Sequence, residues 1–408
     1  MSKIKILAVS PDNHGIGKFR ILDPFKFIGD NYADEFHVDI SFNVPNDNKS
    51  FEGYDIVVFH SYIHQTTHED NVARLKWLKV NGIKTVMDID DYWLPDNRHP
   101  QYKQIMKNKM PEKKLEMLKL SDHITTTTPV FAKSIFDKIK QKNIQIFPNA
   151  INEDDEQFQS KPIKSDKIRF GWIGGSSHLP DIELLRDGID STYSNFRDKI
   201  QFNLCGFDTR GEMTIIEIDG SITKRPIKPE ESVWYKYENI FTKNYSEIDL
   251  EYKNILHTFV ENIPYDDSNK PYRRFWTKDI NKYGKGYNNF DISLVPLVET
   301  SFNANKSQLK IIEAGFHKKA IIASNVSPYT IDLISAFENG NFLDKGNALL
   351  VDPRKNHKDW GKHMKRLIEN PSMIEDLGNR LYETVKDKYS LKTVSENRRV
   401  FFKSIINK

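Results

Sequence analysis

Residues 168–181 read IRFGWIGGSSHLPD, and this stretch decides how the chain is divided. Ile168–Ile173 is a short apolar run with β-branched and aromatic residues, the pattern of a buried strand. Gly174-Gly175-Ser176-Ser177 follows as a tight loop of small residues, and Asp181 to Ile189 has helical spacing. A strand, a glycine loop and a helix at this point open a second α/β unit. Just upstream, residues 152–167 (NEDDEQFQSKPIKSDK) are polar and contain proline, the composition of a linker.

On the N-terminal side the same grammar is already present. Ile4–Val9 is a buried strand that ends at Pro11, Asp12, Asn13 and Gly15, and 55–59 (DIVVF) is a second that ends at His60. Glu69 to Val80 has helical spacing and stops at Gly82; 84–87 (KTVM) is the next strand and runs into Asp88-Ile-Asp90-Asp91. A lysine-rich helix over 102–120, broken near Pro111, a strand over 123–128, a helix over 130–140 and a strand over 144–147 complete the first half. Beyond residue 190 the expected strands are 200–205, 258–263, 291–295 and 320–323, with a helix over 307–316. Strands alternating with helices specify parallel sheets covered on both faces. Residues 207–255 break the alternation: Met213 to Ile227 reads as a hairpin around Asp219-Gly220, the next stretch is aromatic, and together they read as an insertion in the second half. The expected domains are 1–155 and 165–390, with 391–408 a helix packing back on the body.

Composition agrees with two folded domains. The 408 residues are 38% apolar and 12% aromatic, too aromatic for a disordered chain. Sixty Lys and Arg against 57 Asp and Glu leave a formal charge of +3, so any anion site must be local. The single cysteine, Cys205, cannot form an internal disulfide, which fits a reducing cytoplasm. No segment reads as a secretion signal, and none approaches the about 18 apolar residues of a membrane span.

In open parallel sheets ligands bind beyond the carboxyl ends of the strands, so the loops there hold the candidates. After the first strand come Gly15, Gly17, Lys18 and Arg20, where bare backbone amides and two cations suit a phosphate; a plain glycine turn is the competing reading. After the strand at 168–173 come Gly174, Gly175, Ser176, Ser177 and His178, a nest with two hydroxyls; Asp181, next to Pro180, reads as a helix cap. Asp88, Asp90 and Asp91 end a strand with three crowded carboxylates, an arrangement seldom kept for packing. They suit either a base or charge stabiliser, Asp90 foremost, or a D-x-D divalent metal site. Asn303, Asn305, Lys306, Ser307, Lys310 and Glu313 span a loop and a helix, with Lys306, Lys310 and Glu313 on one face; an ion-pair stripe is the bland alternative. His60 ranks below Asp90. The lysine-rich helix over 103–119 reads as a solvated face or as a contact to an anionic membrane or acceptor.

The motifs DHITTTTP (122–129), FPNA (147–150), the Gly174-Gly175 loop, DISLVPL (291–297) and KSQLKIIEA (306–314) before AIIAS (320–324) resemble, in order and spacing, the family-four retaining GT-B glycosyltransferases. The resemblance covers about 1–205 and 256–390. It implies an α/β GT-B fold, two Rossmann-like domains facing across a cleft, with a nucleotide-diphosphate sugar donor held by the second and the acceptor by the first. Glu313 matches the second glutamate of the family's E-x7-E pattern, which binds the donor ribose. The first falls on Asn305, which breaks the pattern. Where the family has an Arg and a Lys for the diphosphate, this chain has Ser176, Ser177 and His178, which moves the expected phosphate charges to Lys306 and Lys310. Asp90 stands where many members have a histidine.

The expected activity is therefore metal-independent, retaining transfer of a sugar to an acceptor hydroxyl, with Asp90, Lys310 and Glu313 catalytic and no cofactor required. The acceptor is a saccharide, a lipid-linked glycan or DNA. Three rivals are weighed: a metal-dependent GT-A enzyme using Asp88 and Asp90, a non-catalytic nucleotide-sugar binder of the same fold, and a transferase acting on nucleic-acid bases. The second glycine-loop unit disfavours the first, and the near-neutral charge disfavours the last.

Overall fold

A computed structural model describes residues 2–99, 101–208, 212–216, 222–242, 269–354 and 358–406. The chain divides into two compact units. Unit 1 comprises Met1–Phe158, Glu299–Ile312 and Thr384–Lys408; unit 2 comprises Gln159–Val298 and Glu313–Glu383. The sequence divides the chain once, near 155–165, with 391–408 packing back on the body, and so misses that unit 1 also takes Glu299–Ile312.

Unit 1 is built on six parallel strands: β1 (Ile4–Val9), β2 (Phe36–Ser41), β3 (Ile56–His60), β4 (Lys84–Asp88), β5 (His123–Thr126) and β6 (Ile144–Ile146), in the order β2-β1-β3-β4-β5-β6. The order reverses between β1 and β3, which opens a crevice at their carboxyl ends. The strands read as unbroken apolar runs because both faces are buried. Ile6 and Ala8 face a layer with Phe25, Ile28, Phe402 and Ile405, while Leu7 and Val9 face one with Leu75, Leu78, Met117 and Phe131. The first layer includes the expected C-terminal helix, Leu391–Ile406. The second includes His68–Val80, capped by Thr67, and Pro129–Ile139, capped by Thr128 with Pro129 in the first turn. The lysine-rich segment forms two helices, Tyr102–Lys107 and Met110–Leu120. The break falls at Lys109, whose backbone is left-handed (φ 51°), and Pro111 opens the second helix instead of breaking the first.

Unit 2 repeats the plan with β7 (Ile168–Ile173), β8 (Ile200–Phe207), the hairpin strands β9 (Glu212–Ile216) and β10 (Ile222–Pro226), β11 (Tyr272–Trp276), β12 (Ile292–Val295), β13 (Ala320–Ser324), the short pair β14 (Phe337–Glu338) and β15 (Asn341–Phe342), and β16 (Leu349–Val351). Its sheet has six parallel strands in the order β11-β8-β7-β12-β13-β16, reversing between β7 and β12. The expected strand over 258–263 lies outside the described residues; the edge position is taken by β11. The strands expected on either side of Asp219-Gly220 pair antiparallel, Ile222 with Ile216, while Asp219 and Gly220 themselves lie outside the described residues. The rest of 207–255 is less of an appendage than expected. Trp234, Tyr237, Ile240 and Phe241, on the helix Val233–Phe241, lie in the same core as Trp172, Phe202 and Trp360. The helix expected from Asp181 starts earlier, as Leu179–Ile182, and passes through a 3₁₀ turn, Glu183–Leu185, into Arg186–Phe196.

One buried ion pair ties the strand ends of unit 1 together. Arg20 sits in a π-helical turn, Lys18–Leu22, which aims its side chain into the core. Its Nε donates to Asp88 Oδ2 at 3.0 Å and its Nη2 to Asp88 Oδ1 at 2.5 Å, while its Nη1 donates to the carbonyl of Phe147 and to Asn149 Oδ1. Thr125 Oγ1 donates to the same carboxylate at 2.6 Å, and both charged side chains are fully buried. Burial on its own would raise the Asp88 carboxyl; the Arg20 guanidinium overrides it and holds the carboxyl below its usual range. Removing one partner strands the other charge in the core. Arg20→Met should therefore cost about 3–5 kcal/mol of unfolding free energy in urea denaturation, and a loss under 1 kcal/mol would contradict this role.

Candidate functional site

In unit 1 the carboxyl ends of β3 and β4 bring His60 and Asp90 together, with His60 Nε2 2.9 Å from Asp90 Oδ1. A carboxylate only accepts here, so His60 Nε2 carries a proton, and Nδ1 lies 3.4 Å from Ser61 Oγ. Ser61 carries φ of 65°, a left-handed backbone that a serine seldom adopts and that often marks a functional turn. Burial opposes ionisation of Asp90, but the charges of His60, Arg20 and Lys114 outweigh it and pull the carboxyl down to about 2. Its neighbour Asp91 moves the other way: burial and the Asp90 charge raise it, against the pull of Lys306 and Lys114. Two adjacent carboxyls thus have proton affinities pushed apart, a recurrent mark of acid–base sites.

Lys306 comes to this cluster because Glu299–Ile312 packs with unit 1. Asn149 Nδ2 donates to Ser307 Oγ at 2.9 Å, Gln308 Nε2 donates to Tyr389 at 2.7 Å, and His99 meets the Phe302 ring with centroids 6.2 Å apart. The Lys306 ammonium lies 5.0 Å from the Phe302 ring centre. Burial and the Lys306 charge lower the proton affinity of His99.

In unit 2 the loop after β7 stands at the β7/β12 reversal. Gly175, Ser176 and Ser177 are exposed, and Gly174 and His178 half-buried. The loop is braced from below: Tyr237 accepts from the His178 amide at 2.8 Å and donates to the Gly175 carbonyl at 3.3 Å. His178 Nδ1 lies 2.8 Å from Asp181 Oδ2, and Asp181 Oδ1 accepts from the Val298 amide at 2.8 Å, joining the two sides of the crevice. Gly206 must be glycine here, because its φ is 96° and a Cβ would stand 2.5 Å from the Gly174 carbonyl. Glu313, 4% exposed, accepts from Tyr287 at 2.9 Å and from Tyr283. Burial, then the Glu313 charge, keeps Tyr287 protonated far above its usual range. Cys205, buried nearby and pushed up to about 12 by that burial, is an inert thiol.

Several expected roles are corrected. Arg20 and Asp88 are sealed in the core and cannot touch a substrate. With Asp88 filled by Arg20 and Thr125, the D-x-D reading of Asp88 with Asp90 loses its first ligand. Lys18, 8% exposed, is held by Asp23 at 3.1 Å and Asp155 at 3.3 Å. The amide of Gly17 donates to Asp12 Oδ1 at 3.1 Å, so the Gly15–Gly17 turn spends that donor internally. Gly17 is bare for packing: a Cβ would lie 2.0 Å from the Asp12 carbonyl. Ser307 accepts from the Leu309 amide at 3.1 Å and from Asn149, which makes it the cap of Leu309–Phe316. Asp181 caps nothing; its carboxylate is a cross-crevice brace. Lys306 and Lys310 belong to unit 1, not to the donor lobe. Asn303 is 9% and Asn305 4% exposed, and Asn305 Nδ2 donates to the Ser301 carbonyl at 2.7 Å. Sequence reasoning missed Ser61, His99, Lys114, Tyr237, Tyr283 and Tyr287. The Tyr283/Tyr287 spacing was readable, but nothing in it named Glu313 as the partner.

No protein-family model and no curated protein matches the sequence. Solved structures do match. A complex of Anabaena HepE with UDP aligns at a TM-score of 0.61 and 10% identity, over 99% of this chain and 100% of that one. A UDP-forming α,α-trehalose-phosphate synthase from Burkholderia vietnamiensis aligns at 0.56 and 9%, over 100% of both chains. TarM, of S. aureus, aligns at 0.53 and 13%, over 86% of this chain; the chain spans 55% of its length. At such identities the likeness speaks to the fold: two Rossmann-like α/β units of the GT-B type found in glycosyltransferases. Among the described residues no helix is long and apolar enough to cross a membrane.

The His60–Asp90 pair makes a prediction about acid stability. The Asp90 carboxyl lies below its usual 3.8 when folded, so its stabilising contribution is present above that value and lost as pH falls from 3.8 to about 2. Asp90→Asn should flatten the stability curve over that window, read by urea unfolding at stepped pH. Parallel curves for variant and wild type would refute the pairing.

Proposed function

We propose that the chain is a glycosyltransferase that moves a sugar from a nucleotide diphosphate to an acceptor hydroxyl, with retention and without a metal ion. The observation that carries the reading is the exposed Gly175–Ser177 loop at the sheet reversal of unit 2, in the same unit as the buried, tyrosine-held Glu313. Exposed amides at such a reversal suit a diphosphate, and a fixed carboxylate suits the paired hydroxyls of a ribose. The HepE structures hold UDP, UDP-glucose, or UDP with glucose, which makes UDP-sugars the first donors to try.

In this reaction the bond from the anomeric carbon to a diphosphate oxygen breaks, and a bond to the acceptor oxygen forms. Negative charge grows on the leaving diphosphate, where loop amides stabilise it; Lys310, a cation of unit 1, is proposed as a further group needed for transfer. The hydroxyl proton goes to unit 1. A carboxyl at about 2 is a poor base, so Asp90 stays ionised, fixes the His60 tautomer and supports positive charge on the ring, and His60 Nδ1 takes the proton. This exchanges the roles expected of the two residues, with Asp90 now the positioning group.

Thermal shift against UDP-, GDP-, ADP- and CDP-sugars should select one nucleotide, since a ligand at 100 times its Kd adds about 2.7 kcal/mol. His60→Ala should lower kcat by about 100-fold or more with the donor KM unchanged. Glu313→Ala and Lys310→Ala should abolish transfer while circular dichroism stays native. EDTA should leave the rate intact, and NMR of the product should show the donor's anomeric configuration. Near wild-type turnover in His60→Ala, or in both of the other variants, would overturn the reading.

A further inference from the structure

The two helices Tyr102–Lys107 and Met110–Leu120 carry a charge excess that the rest of the protein does not neutralise. Residues 102–120 contain six Lys and two Glu, against a formal charge of +3 for all 408 residues. One of those glutamates, Glu116, is already bound to His68 at 2.8 Å. The side chains of Lys103, Lys107, Lys109, Lys113, Lys114 and Lys119 make no ion pair or hydrogen bond among the described residues, and four of the six residues are exposed. Several surface cations elsewhere do pair: Lys133 with Asp137, Arg186 with Glu183, Arg225 with Glu231, Arg399 with Glu35. Crowding unpaired like charges costs stability, so the excess calls for a counter-charge from outside.

The patch also leads to the candidate site: Met117 and Leu118 of the longer helix pack in one core with Ile89 and Trp93, which flank Asp90 and Asp91, and the charge of Lys114 acts on both carboxyls. We infer that this lysine face is the docking surface for an acceptor bearing repeated negative charge, a glycan chain with phosphate or sulfate groups, whose hydroxyl it brings to His60 and Asp90. The inference rests on the transferase reading and adds the acceptor class to it. A lipid surface fits less well. The shorter helix buries no residue, and Leu94 is the one large apolar residue of 91–120 that is well exposed, at 41%, too little to insert. Nucleic acid fits less well because, apart from the half-buried Tyr102, the rings at hand are occupied. Trp93 is buried and lies 4.1 Å from Tyr92, centre to centre, and Phe302 is covered by Lys306, leaving little to stack a base.

The test compares binding of dextran sulfate, neutral dextran of equal length, phosphatidylglycerol vesicles and a DNA duplex, at 150 mM NaCl. It uses the whole chain and a Lys103→Gln/Lys107→Gln/Lys109→Gln variant, with UDP-glucose thermal shift and slow donor hydrolysis as separate readouts. The expected result is binding of dextran sulfate but not dextran, weaker binding of DNA and vesicles, and a loss of at least 10-fold in the variant with donor readouts unchanged. Equal or tighter binding of vesicles or DNA overturns the inference, as does an unaffected variant or no binding of dextran sulfate. No thermal shift with any of UDP-, GDP-, ADP- and CDP-sugars, with dextran sulfate still bound, would sink the transferase reading and leave the polyanion surface standing.

Discussion

The sealed contact between Arg20 and Asp88 is the constraint on which unit 1 depends. It joins the turn after β1 to the end of β4, and through the Phe147 carbonyl and Asn149 to the end of β6. Asn149 then passes the connection to Ser307, so the returning segment Glu299–Ile312 is anchored to the same point. Two residues beyond Asp88, the chain turns Asp90 toward His60. The site's geometry is therefore a consequence of where a core charge is buried. The arrangement is not electrically neutral: Arg398 is also fully buried, its guanidinium nitrogens find no hydrogen-bond partner among the described residues, and burial with the nearby Arg20 brings it down to about 9. Its plane lies 4.8 Å from the Phe147 ring, a contact that offsets part of the desolvation.

The two units bring different chemistry. Unit 1 gathers mixed charges, with His60, Asp90, Asp91, Lys114 and Lys306 acting on one another. Unit 2 offers backbone amides, phenols and one confined carboxylate, with its histidine committed to Asp181. The first is suited to moving a proton and attracting a charged partner, and the second to gripping hydroxyls and a diphosphate without recruiting a cation to its loop.

The α/β alternation was legible because buried parallel strands leave apolar runs punctuated by glycine and proline, as at Ile4–Val9 and Ile168–Ile173. The strands that escaped notice, β2 (FHVDIS), β11 (YRRFW) and β16 (LLV), lie at sheet edges, where polar residues or brevity blur the pattern. The strand-end loops were the right places to look. What could not be read was how each side chain is spent. Arg20 and Asp90 sit in similar sequence surroundings, yet one is consumed by the core and the other faces a histidine. Lys306 precedes a helix that runs into unit 2, but its partners belong to unit 1. Those outcomes depend on contacts between residues such as Asn149 and Ser307, 158 positions apart, which no local pattern encodes.

The discontinuity of unit 1 has a consequence in time. Phe402 and Ile405 complete the layer that holds Ile6, Phe25 and Ile28, and they leave the ribosome only after all of unit 2. Unit 2 ends at Glu383 and has its whole sequence available earlier. Synthesis therefore presents the usual order in reverse: the half that starts the chain waits with an open apolar face while the later half closes. A nascent chain stalled before residue 391 is the species for which a chaperone would compete, and a truncation there removes one wall of the N-terminal core.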